Sequence, residues 1–265
     1  MNLNGVPETM LLTLYHRAYE AAKKNGVIKD ELCLKIFNKI NYDYYKSFGK
    51  PSSALAIRAK TFDDYIELWI AQNPNCPIVE VGVGLETSYF RINNPSVKWY
   101  VVDLPEAIKF RERYIPKKDN LFNIAKSALD YSWLEVLEDT DKRICFSFQG
   151  LLMYFEESQV IELLQCITTK FPNATLIFDT APVWISKKTI KGWKKTESYT
   201  FPKMPWGINI NDITKEVPQW LPGFKISFLK YKMRGFKGII YTVLSNFPFL
   251  KNLFPAIVCV SKSTN

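Results

Sequence analysis

Residues 78–91 read IVEVGVGLETSYFR: an apolar run that ends in Gly82-Val83-Gly84, with a carboxylate, Glu80, two positions ahead of the first glycine. Glycines at the end of a strand let the backbone approach a ligand closely, because no Cβ blocks the way. Three readings are open: a dinucleotide cradle, an S-adenosylmethionine cradle, or a tight βα turn with no ligand. A dinucleotide fingerprint needs a third glycine three residues after the second, so that the helix packs under the pyrophosphate. Thr87 holds that position. S-adenosylmethionine carries a cationic α-amino group and a sulfonium but no phosphate. A carboxylate near the turn suits it and would repel a pyrophosphate. Asp103 ends a second apolar run, WYVVD, nineteen residues after Gly84. A carboxylate there can accept from both ribose hydroxyls of an adenosine, in either cofactor. Loop and Asp103 together favour S-adenosylmethionine.

These groups need a scaffold that brings strand ends together. Residues 8–24, 30–39 and 54–72 read as helices, the first with Leu11, Leu14, Tyr15, Ala18 and Ala22 on one stripe. An aromatic-rich connector, YDYYKSFGKPSS, separates the second from the third. Apolar strand runs follow at 78–81, 99–103, 121–125, 144–149, 174–179, 226–231 and 256–260, with helical segments at 105–114 and 157–170. Such alternation means an α/β fold, a mostly parallel sheet with helices on both faces. Ligands of such sheets sit beyond the carboxyl ends of the strands. The glycine loop, Asp103, Gln149 and Asp179 all fall there. The division expected is a single domain: a helical lid over 1–72, a core over 76–180, a cap over 181–222 and closing strands over 223–265.

Composition bounds the partners. With 47% hydrophobic and 23% charged residues the chain reads as an ordinary globular protein. Five scattered cysteines and one histidine argue against a zinc site, and reduced cysteines suit a cytoplasmic location. The N-terminus lacks the pattern of a signal peptide. Residues 239–260 are apolar but interrupted by lysine, asparagine and proline, which reads as core helix plus core strand rather than a membrane span. The net charge of +9 favours an anionic partner or substrate. KKTIKGWKK at 187–195 reads as a solvated loop rather than a nucleic-acid site.

Further stretches carry a resemblance. VEVGVGLETSYFRI and VKWYVVDLPEAIKFRERYIP, together with ETMLLTLYHRAYE, YDYYKSF, IRAKTFDDYI, KSALDYSWLEVL, QGLLMYF and FPNATLIFDT, run in order over residues 6–180. The chain resembles the leucine carboxyl methyltransferase family, in its bacterial branch of tetracenomycin-type polyketide O-methyltransferases. The resemblance implies a Rossmann-like, seven-stranded sheet with a terminal antiparallel strand, and methyl transfer from S-adenosylmethionine. It assigns Gly82 and Gly84 to the methionine part of the cofactor, Asp103 with Leu104 to the ribose, and Ser127 with Ala128 to the adenine. Arg58 would pair with the cofactor carboxylate, and Arg17 would serve the same region. The chain departs from the family twice. Glu86-Thr87-Ser88 replaces the usual Asp-Thr-Arg, and Gln149-Gly150 replaces Glu-Gly, which removes a charge that would attract the cationic amino group.

Methyl transfer from a sulfonium chiefly requires alignment and exclusion of water. A carboxylate acceptor needs no base, whereas a phenol, with a pKa of about 10, benefits from one. Tyr154 is a candidate hydrogen-bond donor to the acceptor. His16 is the single candidate base of its type, but as a helix neighbour of Arg17 it points about 100° away and reads rather as a partly exposed helix residue. Asp179 either faces the cleft or serves as N-cap to the next segment. Trp184, Trp193 and Trp206 are expected to give the cap a flat apolar surface over an aromatic or lipophilic small-molecule acid or phenol. The neighbouring lysines would receive that anion or an acidic carrier protein. Two alternatives stay open: methylation of a protein C-terminal carboxyl, and a non-catalytic S-adenosylmethionine- or RNA-binding module.

Overall fold

The computed structural model describes residues 8–137, 143–231 and 250–262. Four helices open the chain: α1 (Thr9–Ala21), α2 (Glu31–Lys39), α3 (Tyr44–Phe48) and α4 (Ala54–Gln72). Then come β1 (Ile78–Val81), α5 (Ser88–Ile92), β2 (Trp99–Asp103), α6 (Pro105–Arg111), β3 (Leu121–Ala125), β4 (Cys145–Phe148), α7 (Glu157–Lys170) and β5 (Thr175–Thr180). Then follow α8 (Val183–Ile190) and α9 (Ile210–Trp220), and β6 (Phe224–Leu229) and β7 (Ala256–Lys262) complete the sheet. All seven expected strands are present.

The strand order is β3-β2-β1-β4-β5-β7-β6. β1 pairs in parallel with β2 (Ile78 opposite Trp99) and with β4 (Ile78 opposite Cys145). β7 runs antiparallel between β5 and β6, with Thr175 opposite Ser261 and Phe224 opposite Lys262. The chain therefore switches direction across the sheet at β1 and β4, where ligands of open α/β sheets bind. Every residue of β1, β4 and β5 is buried, as expected for strands covered on both faces. One cover consists of Phe62, Ile66, Trp69 and Ile70 of α4 against Trp99, Val101, Cys145 and Ile177. The other consists of Val160, Leu163, Leu164 and Ile167 of α7, with Ile213 and Val217 of α9, against Val79, Phe146 and Phe178. A third cluster joins Leu11, Leu14, Cys33, Ile36, Tyr44 and Phe48 of the N-terminal helices to Leu85, Ala107, Phe110 and Tyr199.

Local chemistry starts these elements where they start. The Asp30 side chain accepts from the Cys33 N–H and begins α2, and Asp43 does the same for α3 through the Lys46 N–H. Glu156 and Gln159 form a reciprocal capping box at α7. The aromatic connector around YDYYKSF thus contains a helix, α3, because an N-cap and aromatic partners fix it. Of the apolar run 239–260, residues 256–260 belong to β7, and 239–249 lie outside the described residues. Among the described residues, no helix is long and apolar enough to cross a membrane.

Candidate active site

A cavity opens at the carboxyl ends of β1, β2 and β4. Its floor is the glycine loop with Asp103, Leu104, Gln149 and Gly150. Thr9, Met10 and Thr13 of α1, Leu55 and Arg58 of α4, and Phe201 and Met204 between α8 and α9 form its walls. Gly82 and Gly84 both have positive φ, +71° and +49°. A Cβ on Gly82 would lie 2.7 Å from Leu151 Cδ1. The loop is tied from behind by two fully buried arginines. Arg111 Nη1 donates to the carbonyls of Gly84 (3.0 Å) and Glu86 (2.6 Å), and Arg17 Nη2 to that of Leu85 (2.7 Å). Three successive carbonyls are thereby turned inward. Burial pulls the Arg111 guanidinium down to about 10, against the opposing pull of Glu80 and Glu86.

Asp103 ends β2 with both oxygens fixed. Oδ2 accepts from the Gly84 N–H and Oδ1 from the Leu104 N–H, each at 2.7 Å. Burial raises its pKa, and these two donors work against that rise. Each oxygen keeps a further lone pair on the cavity side, the arrangement two vicinal hydroxyls require.

Arg58, on α4, reaches across the cavity to Asp179 at the end of β5, with Nη1 2.9 Å from Oδ2. The other oxygen of Asp179 accepts from the Gly150 N–H at 2.5 Å. Asp179 therefore holds the arginine and the turn after β4 together and caps no helix. Gly150 has φ +70°, and a Cβ there would sit 2.8 Å from Arg58 Nη1. Arg58 Nε is buried with no partner among the described residues. Tyr154 lines the same wall. Burial pushes its hydroxyl up to about 12, offset in part by Thr9 and Arg58, so it stays a neutral donor.

Glu86 lines the cavity as well, at the centre of a buried ion cluster. It accepts from the Thr87 N–H (2.8 Å), from Arg91 Nη1 (2.6 Å) and from Gln149 Nε2 (3.1 Å), and it pairs with Arg17. Burial pushes this carboxyl up, but Arg17 and Arg91 outweigh it and hold the group well below the usual carboxylate range. Arg91 also binds both oxygens of Asp63 on α4 and one of Asp30. Lid and loop are joined through this guanidinium. Nothing in the spacing of the sequence singles out Arg91 or Arg111. The available signal was an arginine on the helix after the loop, and one on the helix after Asp103, in segments otherwise apolar toward the core.

Several expected positions differ. Glu80 sits in the cavity floor, but its oxygens accept from Ser88 Oγ (2.6 Å) and Trp99 Nε1 (2.8 Å). Burial and the nearby Glu86 raise its pKa. Ser88, one of the departures from the family pattern, is thus a partner of Glu80. Arg17, 1% exposed, lies under the loop and outside the cavity lining. Ser127 and Ala128 also lie outside that lining. Ser127 Oγ accepts from the Leu129 N–H, and Ala128 packs in the core. His16 is buried rather than partly exposed. Its Nδ1 faces Ser52, and burial followed by Lys195 lowers it to about 4. It too is absent from the lining. None of the three cap tryptophans lines the cavity: Trp206 packs in the main core against Phe178 and Trp220, and Trp184 stands beside Trp193. Phe201 and Met204 face the cavity in their place.

The family model for leucine carboxyl methyltransferase matches residues 10–168, more than half of the chain. The chain belongs to the leucine carboxyl methyltransferase family. It is 27% identical over 187 residues to the tetracenomycin polyketide synthesis O-methyltransferase TcmP of Streptomyces glaucescens, covering 69% of each chain. It is 26% identical over 277 residues to the S-adenosyl-L-methionine-dependent methyltransferase dpfgK of Gibberella zeae, covering 94% of this chain and 88% of that one. A solved structure of the plantazolicin methyltransferase BpumL with SAH has the same fold, with a TM-score of 0.51 at 12% identity over 97% of this chain and 100% of that one. The protein is therefore an S-adenosylmethionine-dependent methyltransferase. The cavity of this methyltransferase fits that cofactor: Asp103 presents two anchored acceptors, and Arg58 has a buried donor without a partner among the described residues.

Proposed function

We propose that this methyltransferase methylates an oxygen of a small molecule, a carboxylate or a phenolic hydroxyl, with the carboxylate favoured. S-adenosylmethionine, when bound, supplies a methyl group already activated by its sulfonium. The loop at Gly82–Gly84, Asp103, Gln149 and Arg58 would hold it. The protein then has to place the acceptor in line and keep water out.

One observation carries the preference for a carboxylate. Every acid lining the cavity is already engaged: Glu80 by Ser88 and Trp99, Glu86 by two arginines, Asp103 by two backbone donors. The other ionisable groups of the lining, Arg58 and Tyr154, are donors. A wall with donors and no disengaged base suits an acceptor that is ionised before it arrives. Leu55, Met153, Phe201 and Met204 give that wall an apolar body, suited to an aromatic or lipophilic acid. The name of TcmP refers to polyketide synthesis, and the proposed substrates are polyketide-type acids and phenols of secondary metabolism.

Charge distribution supports an anionic substrate or an acidic carrier protein bearing it. Residues 181–265 contain 14 Lys and Arg against 3 Asp and Glu, and residues 1–180 contain 21 against 23. The whole positive excess lies in the last third of the chain. Lys187, Lys188, Lys191 and Lys194 are all exposed, as are Trp184 and Ile190, on the segment that leads to Phe201 and Met204. The test is transfer of labelled methyl from S-adenosylmethionine to a panel of aromatic acids and phenols. A product that releases its label in mild base is an ester, and one that retains it is an ether. Label found only on nitrogen or carbon would overturn the reading. Unchanged turnover after replacing Lys187, Lys188, Lys191, Lys194 and Lys195 would remove the carrier.

A further inference from the structure

Two departures from the family pattern stand 63 positions apart in the chain, Glu86 and Gln149, and in the structure they touch: Gln149 Nε2 donates to Glu86 Oε2 at 3.1 Å. A carboxylate offers about four lone-pair sites. Here the Thr87 N–H and Arg91 hydrogen-bond to Oε1 and Gln149 to Oε2, which Arg17 also faces as an ion-pair partner. Glu86 therefore lines the cavity with both oxygens engaged by the protein. It dictates instead how its neighbour stands. An ionised carboxylate only accepts, so the amide of Gln149 must turn its NH2 toward Glu86 and its Oε1 the other way. No hydrogen bond from a described residue reaches Oε1, and Gln149 lines the cavity. The next residue is Gly150, over which Arg58 lies with its unpartnered Nε. An acceptor and a cation thus stand side by side, which is what the α-ammonium and α-carboxylate of one amino-acid group require.

We infer that Glu86 is a positioning residue for the cofactor: it orients Gln149 so that Oε1 receives the α-ammonium of S-adenosylmethionine. This rests on the cavity being the cofactor site. It also gives a physical link between the two departures. A glutamate at 86 reaches the end of β4, where a second carboxylate at 149 would face it at hydrogen-bond distance, and like charges so placed cannot both ionise freely. An amide at 149 removes the conflict while keeping an acceptor toward the ligand. Restoring the acid, Gln149→Glu, is therefore expected to harm binding at alkaline pH. When protonated, that side chain would donate to Glu86 and present its carbonyl to the cavity, as the glutamine does.

The test is calorimetric binding, without turnover, of SAH and of 5′-methylthioadenosine, which keeps the adenosine and sulfur but lacks the amino-acid group. Variants are made at Gln149 only, because replacing Glu86 would strip two buried arginines of their partner. Gln149→Leu is expected to bind SAH roughly tenfold more weakly, the loss of a hydrogen bond to a charged donor, with methylthioadenosine unchanged within about twofold. Gln149→Glu is expected to approach wild-type affinity for SAH near pH 6 and to lose it toward pH 8, where the wild type stays level. Equal losses for both ligands in Gln149→Leu would make the residue merely structural and overturn the inference. So would a Gln149→Glu protein that binds SAH as tightly as the wild type across that range. Wild-type protein that binds neither compound would overturn the cofactor site itself.

Discussion

Replacing Asp103 separates the two jobs its carboxylate performs. In the folded protein it accepts two backbone N–H groups at 2.7 Å, one from the loop after β1 and one from the start of α6. Hydrogen bonds to a charged group contribute about 1.5–3 kcal/mol each. The residue is half-buried, so water can take over part of this, and Asp103→Ala should cost about 1–3 kcal/mol of stability. Cofactor binding loses more, since both ribose hydroxyls lose an ionised acceptor: about 3 kcal/mol, or roughly a hundredfold in Kd. Asp103→Asn is the sharper probe. Its single carbonyl oxygen can serve only one of the two N–H donors, and its NH2 must face the other, so donor meets donor. It should therefore lose affinity for SAH by at least about tenfold while nearly conserving volume. Calorimetry with SAH, beside thermal melting of the same samples, reads both quantities. If Asp103→Asn binds SAH within about threefold of the wild type and melts at the same temperature, neither the loop clamp nor the ribose contact holds.

Other perturbations follow from the same geometry. His16 is lowered to about 4 by burial, so between pH 6.5 and 4 the unfolded chain binds a proton there that the folded chain does not. Stability is lost as pH falls through that window, at up to about 1.4 kcal/mol per unit. Melting from about pH 7 to 4.5 should show a slope that His16→Asn flattens. Gly82→Ala meets both a φ of +71° and Leu151 Cδ1 at 2.7 Å. A loss of about 2 kcal/mol or more is expected, of which Leu151→Ala recovers the steric part but not the backbone part, about 1–2 kcal/mol, in urea unfolding of the double variant. Arg58→Leu leaves Asp179, 3% exposed, without its cation. It should destabilise by about 3 kcal/mol, and Asp179→Asn in the same protein should restore much of that.

The sheet was legible because parallel strands buried on both faces are short continuous apolar runs, and IVEV, WYVVD and TLIFDT are such runs. Asp103 was legible for a related reason: an acid closing an apolar run must lie at a strand end, where the sheet meets its ligand. The cap was harder. Trp206 looked like a surface for a substrate and packs in the core, because Phe178 of β5 and Trp220 of α9 meet its ring. His16 looked half-exposed from its helix alone, since nothing local says that the turn at Ser52 covers it. Arg91 makes its contacts 28 and 61 positions away, with Asp63 and Asp30, and no period in the chain marks such partners.

The distribution of charge in the site explains why Glu80, the most conspicuous acid of the opening motif, lines the cavity with both oxygens already engaged. Three loop carbonyls point back to Arg17 and Arg111, so buried positive charge lies directly beneath the glycine turn. Glu80 and Glu86 balance it from the cavity floor, with their oxygens engaged by protein donors. What remains is a set of oriented but unsaturated groups on residues that line the cavity: the outer lone pairs of Asp103, Oε1 of Gln149 and the buried Nε of Arg58. Each is fixed by a partner that any ligand leaves untouched. Little reorganisation is then required on binding, and this matters more for methyl transfer than an additional charge would, because its barrier falls chiefly through alignment. The acids of the glycine motif therefore act one layer back, by holding still the groups that make contact.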